Sequence, residues 1–118
     1  MNNDAGGASA LNARLVAAQP GWRVRFAEER NAYTVQARGK RYLVCTKPFP
    51  LRKTVLYTVV DLQEQVRGTE NLIFGAGAES RAACQRMAQR LEGKNRDIHT
   101  EVSHRNRVPL RVVAVFSA

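Results

Sequence analysis

Tyr33-Thr34-Val35-Gln36-Ala37-Arg38-Gly39-Lys40-Arg41-Tyr42-Leu43-Val44-Cys45-Thr46 is the stretch that decides the fold. Tyr33, Val35 and Ala37 alternate with Thr34 and Gln36, the period-two pattern of a half-buried strand. Arg38-Gly39-Lys40 reads as a tight turn in which glycine supplies a positive φ. A second strand, Arg41 to Thr46, follows at once. A hairpin is therefore expected at the centre of the molecule.

Working outward, Trp22, Val24 and Phe26 alternate with Arg23 and Arg25, so another strand precedes the hairpin, set off by a turn at Glu29-Arg30-Asn31. Thr54 to Leu62 is a further strand. Between them, Lys47-Pro48-Phe49-Pro50-Leu51-Arg52-Lys53 is expected to be a loop, because two prolines remove ladder donors. Arg67-Gly68 suggests a turn and Asn71 to Phe74 a short extended piece. Glu79 or Ser80 opens a helix whose Cys84, Met87, Ala88 and Leu91 share one face, with Gly93 as its stop. Ile98–Ser103 and Leu110–Phe116 read as two last strands, the second with Val112 to Val115 as a fully buried run. Whether that strand is central or an edge that pairs with a second copy is left open, and a homodimer with it.

At the N-terminus, residues 1–7 read as a disordered lead. Ser9 caps a short helix through Ala17, and Pro20-Gly21 ends it. Residues 8–118 then form a single α+β domain. Its expected architecture is a mainly antiparallel sheet of about five to six strands, with one amphipathic helix packed on a face and the short N-terminal helix. A chain of 118 residues suits one core. No apolar run approaches the ~20 residues needed to span a membrane, and no secretory leader pattern is present. Cytoplasmic residence is expected, with no membrane partner.

Charge points to the partner. The chain carries 19 basic residues against 10 acidic ones, net +9. Between Asn31 and Val60 stand Arg38, Lys40, Arg41, Lys47, Arg52 and Lys53 without an acid. That excess suits phosphate or another anionic surface. A second set, on and after the helix, includes Arg81, Arg86, Arg90, Lys94, Arg96, Arg105, Arg107 and Arg111. Arg86 and Arg90 lie one helical turn apart. Arginine outnumbers lysine fifteen to four, and its planar fork matches phosphate and carboxylate in two points. Lys47-Pro48-Phe49-Pro50 has the chemistry of a minor-groove wedge, although Phe49 could equally fold back on the core.

Catalytic patterns are scarce. There is no phosphate-cradling glycine loop, nucleophile elbow or zinc-binding His-Glu pair. Cys45 and Cys84 make no metal motif and read as reduced, partly buried thiols, a disulfide requiring that strand and helix bring them within reach; no metal or other cofactor is expected. Asp61 and Glu70 could meet across a hairpin and hold magnesium for a small nuclease, but offsetting Arg67 is the simpler role. His104, between arginines, has no carboxylate to orient it as a base.

Two blocks carry a resemblance: Tyr57–Leu62 followed by Arg67–Gly75, and Ser103-His104-Arg105-Asn106-Arg107-Val108-Pro109-Leu110. Together they resemble small proteins encoded in bacterial phages and prophages. The resemblance carries over no catalytic residues. It implies a phage accessory role, including counter-defence proteins of the anti-CRISPR kind that bind and block host machinery. The expectation is a non-enzymatic protein docking through Arg38, Lys40, Arg41, Lys47, Phe49, Arg52, Lys53, Arg81, Arg86, Arg90, Arg105, Asn106 and Arg107. Its partner would be a host protein or nucleoprotein complex. The alternatives are direct binding of DNA or RNA by the hairpin around residues 38–53, and the nuclease.

Overall fold

A computed structural model describes residues 3–49, 54–74, 77–94, 98, 102 and 107–118. Helix α1 (Asn3–Ala17) is followed by five strands: β1 (Arg23–Phe26), β2 (Tyr33–Arg38), β3 (Tyr42–Phe49), β4 (Thr54–Asp61) and β5 (Val66–Phe74). Helix α2 (Ala78–Lys94) and two short strands, β6 (Arg107–Pro109) and β7 (Val112–Phe116), complete the chain. The fold is α+β, as the alternation predicts, but the sheet has seven strands in the order β6-β5-β4-β3-β2-β1-β7, all pairs antiparallel.

β6 and β7 lie at opposite ends of this order, yet only Leu110 and Arg111 separate them. The sheet must therefore curl until its two ends meet on one run of chain. Residues 107–109 pair with β5, and residues 112–116 pair with β1. Between them, the Leu110 N–H donates to the Gln65 carbonyl and the Arg111 carbonyl accepts from Ala27. The guanidinium of Arg67 on β5 lies 4.3 Å from the ring of Phe26 on β1. Three strands separate these two in the sheet, so this contact also requires the curl.

Curling buries both faces of the middle strands. Tyr42 and Val44 of β3 face α2 in one core with Val55, Tyr57, Val59, Cys84, Met87, Ala88 and Leu91. Leu43 and Cys45 face the enclosed side, with Val24, Phe26, Tyr33, Val35, Val60, Val115 and Leu15 of α1. The two cysteines thus lie in different cores and are free thiols. Three bulges bend the sheet, one of them where Val55 to Tyr57 of β4 spans Glu70 to Ile73 of β5. Val35 pairs with Cys45 but Ala37 with Val44, so Gln36 is an extra residue and Ala37 turns to the other face. Arg25 pairs with Ala114 but Phe26 with Val112, leaving Val113 as the extra residue of β7.

Several expectations are corrected. α1 begins at Asn3, so most of the supposed lead is helical. Lys47, Pro48 and Phe49 belong to β3 and pair with β4 through Phe49↔Thr54. Proline is tolerated because β2 stops opposite Thr46, leaving β3 with one neighbour beyond it. Arg67-Gly68 is inside β5; the turn falls at residues 62–65 instead. A Cβ at Gly68 would collide with the Val102 side chain, so glycine serves close packing there. Ile98 and Val102 are not strand: the Val102 N–H donates to the Ile98 carbonyl and both side chains are buried with those of α2, while the rest of the expected strand, residues 99–101 and 103, lies outside the described residues. The run in β7 is not fully buried, with Val113 and Phe116 exposed at an end of the sheet. The Arg23 guanidinium stacks on the Phe116 ring.

Candidate functional site

Three of the described hairpin cations, Arg38, Arg41 and Lys47, are engaged within the fold. The Arg38 guanidinium donates to the carbonyls of Val16 (2.6 Å) and Ala18 (2.7 Å), closing the C-terminal end of α1 where carbonyls have no helical partner. Arg41 grips Asp61 in two points, Nε to Oδ1 at 2.9 Å and Nη2 to Oδ2 at 2.8 Å. Lys47 is bound to Glu29 at 2.8 Å and sits over the Tyr33 ring. Lys40 alone of the four described hairpin cations is exposed. Phe49 lies half-buried in the ladder beside Pro48, not at a loop tip. Arg52, Lys53, Arg105 and Asn106 lie outside the described residues, as do His104 and Arg96. Arg107 is half-buried in β6, with its aliphatic stem against Gly68.

Asp61 is wholly buried and also accepts the N–H groups of Gln63 and Glu64, capping the turn. In the β4–β5 register it stands opposite Val66, whereas Glu70 stands opposite Tyr57, four residues up the ladder. Asp61 therefore offsets Arg41 rather than Arg67, and its two oxygens are occupied. Among the described residues no cluster of three His, Cys, Asp or Glu side chains could hold a metal ion.

Of the predicted arginines, Arg86 and Arg90 come together on α2, one turn apart, while Arg81, five residues before Arg86, stands on another side of the same helix beside the β2 groove. Arg81, Arg86 and Arg90 are all exposed, with Gln85 and Gln89 between them. Glu79, in the first turn, is the one acid on that side. The other, Glu92, turns inward and accepts the N–H groups of Arg41 and Tyr42. Among the described residues, neither Arg81 nor Arg86 forms an ion pair. The helix is held in this orientation by Cys84, Met87, Ala88 and Leu91 on its opposite side.

Alongside the arginine face runs a polar groove between α2 and β2. It consists of two adjoining hollows of about 430 and 510 Å³ that share Pro20, Gln36 and Gln85. Thr34 and Arg81 line one, Gln89 and Glu92 the other. The bulge at Gln36 opens this groove, because it displaces the strand beside the helix. Charge counting could not find it, since most of its lining is uncharged, with Gln36, Gln85 and Gln89 supplying the amides.

A second feature escaped sequence reading. Where β1 and β5 part company, the enclosed side opens into a cleft of about 730 Å³ lined by Glu28, Glu29, Arg67, Thr69 and Arg111, with Val108 and Pro109 as its apolar wall. Arg67 is 3% exposed. Beneath it the Tyr33 hydroxyl approaches Glu29 at 3.4 Å. Burial first, and then the Glu29 charge, push that phenol up to about 12, against an opposing hydrogen bond from Thr69 and the nearby Arg67 charge. Nothing in the local pattern around Arg67 marks it as an interior side chain.

No family model, curated protein or solved structure matches this chain. Among the described residues no helix is long and apolar enough to cross a membrane.

Proposed function

We propose that this is a non-catalytic docking protein whose α2 arginine face binds an acidic partner. The observation that carries the reading is the separation of charges on α2: Arg81, Arg86 and Arg90 face solvent while Glu92 is turned into the hairpin. Exposed guanidinium groups carried on a packed helix offer planar, two-point partners for carboxylates or phosphates. The residues resembling phage-encoded proteins suggest the partner: an acidic subunit or surface of a host nucleoprotein complex, with inhibition of a bacterial defence system as the outcome. The helix is preferred over the hairpin because Arg38, Arg41 and Lys47 are already engaged within the fold.

The groove beside α2 favours one rival, direct binding of nucleic acid. Gln36, Gln85 and Gln89 offer neutral donors beside Arg81, a lining suited to a sugar-phosphate backbone.

One experiment separates the two. The tagged protein and its Arg81→Glu/Arg86→Glu/Arg90→Glu variant are used to capture partners from a bacterial host lysate, with and without nuclease. Docking on protein predicts a stoichiometric complex that survives nuclease and vanishes in the variant. Binding to purified duplex that falls with salt at a log–log slope of about −3, as three phosphate contacts require, favours the rival. Retention of the complex by the charge-reversed variant would remove α2 as the interface.

A further inference from the structure

We propose that the cleft between β1 and β5 is a binding site for a small organic anion that also carries a hydrogen-bond donor. Arg67 is the only buried cation among the described residues. A guanidinium has five N–H donors. Here Nη1 donates to Thr69 Oγ1 at 3.1 Å, and Nε has no hydrogen-bond partner. Glu28 and Glu29 stand 3.8 Å away, within Coulomb attraction but beyond hydrogen-bond length.

The comparison with Arg41 is instructive, because the same molecule shows what a satisfied pair looks like. Arg41 and Asp61 meet in two bonds of 2.8 and 2.9 Å. Arg67 instead bears the desolvation cost of a buried charge without the bonds that normally offset it. Its planar group is nevertheless fixed, because one face lies on the Phe26 ring. A fixed, under-bonded guanidinium on the wall of a cavity is a preorganised half of a recognition site.

The cavity supplies the other half. Its volume, about 730 Å³, lies in the range of small-molecule sites. Arg111, exposed at the rim, adds a second cation facing the same space. An entering carboxylate or phosphate bonds Arg67 and Arg111. Glu28, 64% exposed and loosely placed, then accepts from an amine or hydroxyl of the same ligand. Val108 and Pro109 cover its carbon skeleton. Glu29 stays on Lys47 and Tyr33. The two sources of such an anion, amino acids and phosphate monoesters, are distinguished by the test.

The full-length protein is titrated with L-glutamate, glycerol 3-phosphate and adenosine monophosphate, and with acetate as the donor-free control, followed by amide NMR shifts. The proposal expects one of the first three to saturate with a Kd below about 1 mM, moving the amides of residues 67–69 and 108–111. Arg111→Ala should weaken it about tenfold, as expected for loss of a charge-assisted bond, and Glu28→Gln should weaken it while leaving acetate unaffected. Arg67→Met should lose binding altogether without lowering the melting temperature, since a poorly bonded buried charge is replaced by an apolar side chain. If Arg67→Met fails to fold, the Arg111 and Glu28 variants decide. No saturable shift with any probe, binding that survives Arg111→Ala, or shifts confined to α2 would each overturn the proposal.

Discussion

The Glu92 side chain fills the space that a Cβ of Gly39 would occupy, and its carboxylate binds the N–H groups of Arg41 and Tyr42 in the same hairpin. The glycine is therefore needed for room and not for a left-handed backbone, since Gly39 is not among the residues with positive φ. Gly39→Ala should cost about 2 kcal/mol by overpacking. Glu92→Ala, which removes a charge-assisted acceptor, should cost a similar ~2 kcal/mol. Because the alanine at 39 clashes with the side chain removed at 92, the double variant should lose clearly less than the sum. Urea unfolding of all four proteins measures this.

Asp61→Asn tests the buried pair with Arg41. Breaking it leaves a guanidinium that is 10% exposed with the half-exposed Glu64 carboxylate at 3.4 Å as a weaker charged partner, and stability should fall by about 3 kcal/mol. Adding Arg41→Met should recover part of that loss. The same denaturation curves should be unchanged by magnesium, because the Asp61 oxygens are already engaged.

Arg38→Met should detach the end of α1 from β2. Two carbonyls lose a charged donor, at a cost of about 2 kcal/mol in total. Hydrogen exchange should then quicken in residues 10–17 while the β3 and β4 amides keep their protection. Uniform quickening throughout the molecule would mean that Arg38 supports the whole sheet rather than one helix.

Alkaline pH should unfold the protein from a defined point. Burial pushes the Cys45 thiol up to about 12 and the Cys84 thiol up to about 11, and Tyr33 is also raised to about 12. Each ionises more readily in the unfolded chain. Their contribution is complete below the ordinary thiol and phenol values and disappears as pH climbs through the folded values. Stability should thus decline from about pH 9, by up to about 1.4 kcal/mol per pH unit for each group released. Cys45→Ala/Cys84→Ala should flatten the start of that decline. An aromatic disulfide reagent at pH 8 should label neither thiol until denaturant is added.

Much of the architecture was legible in local pattern. Alternation in Tyr33–Thr46 gives β2 and β3, and the spacing of Cys84, Met87 and Leu91 gives α2 and its buried side. Closure of the sheet was not legible, because it depends on extra residues at three bulges, Gln36 and Val113 among them, and on the double pairing of residues 107–116. Neither leaves a periodic trace. The hairpin cations misled for a related reason. A count of charges along the chain does not know that Glu29 will reach Lys47, that Asp61 will reach Arg41, or that α1 will end beside Arg38. Arg86 and Arg90 were read correctly as neighbours, since i to i+4 spacing is local.

The run from Arg107 to Phe116 is the clasp of the molecule. Until it has been made, β1 and β5 each present a bare margin able to seize a strand from another chain, so a product stopped short of it should clump. The margin left on β7 itself is partly masked: the Arg14 guanidinium donates to the Val115 carbonyl. Ten residues near one terminus thus silence two adhesive borders, and a single arginine near the other helps to quiet the border they create.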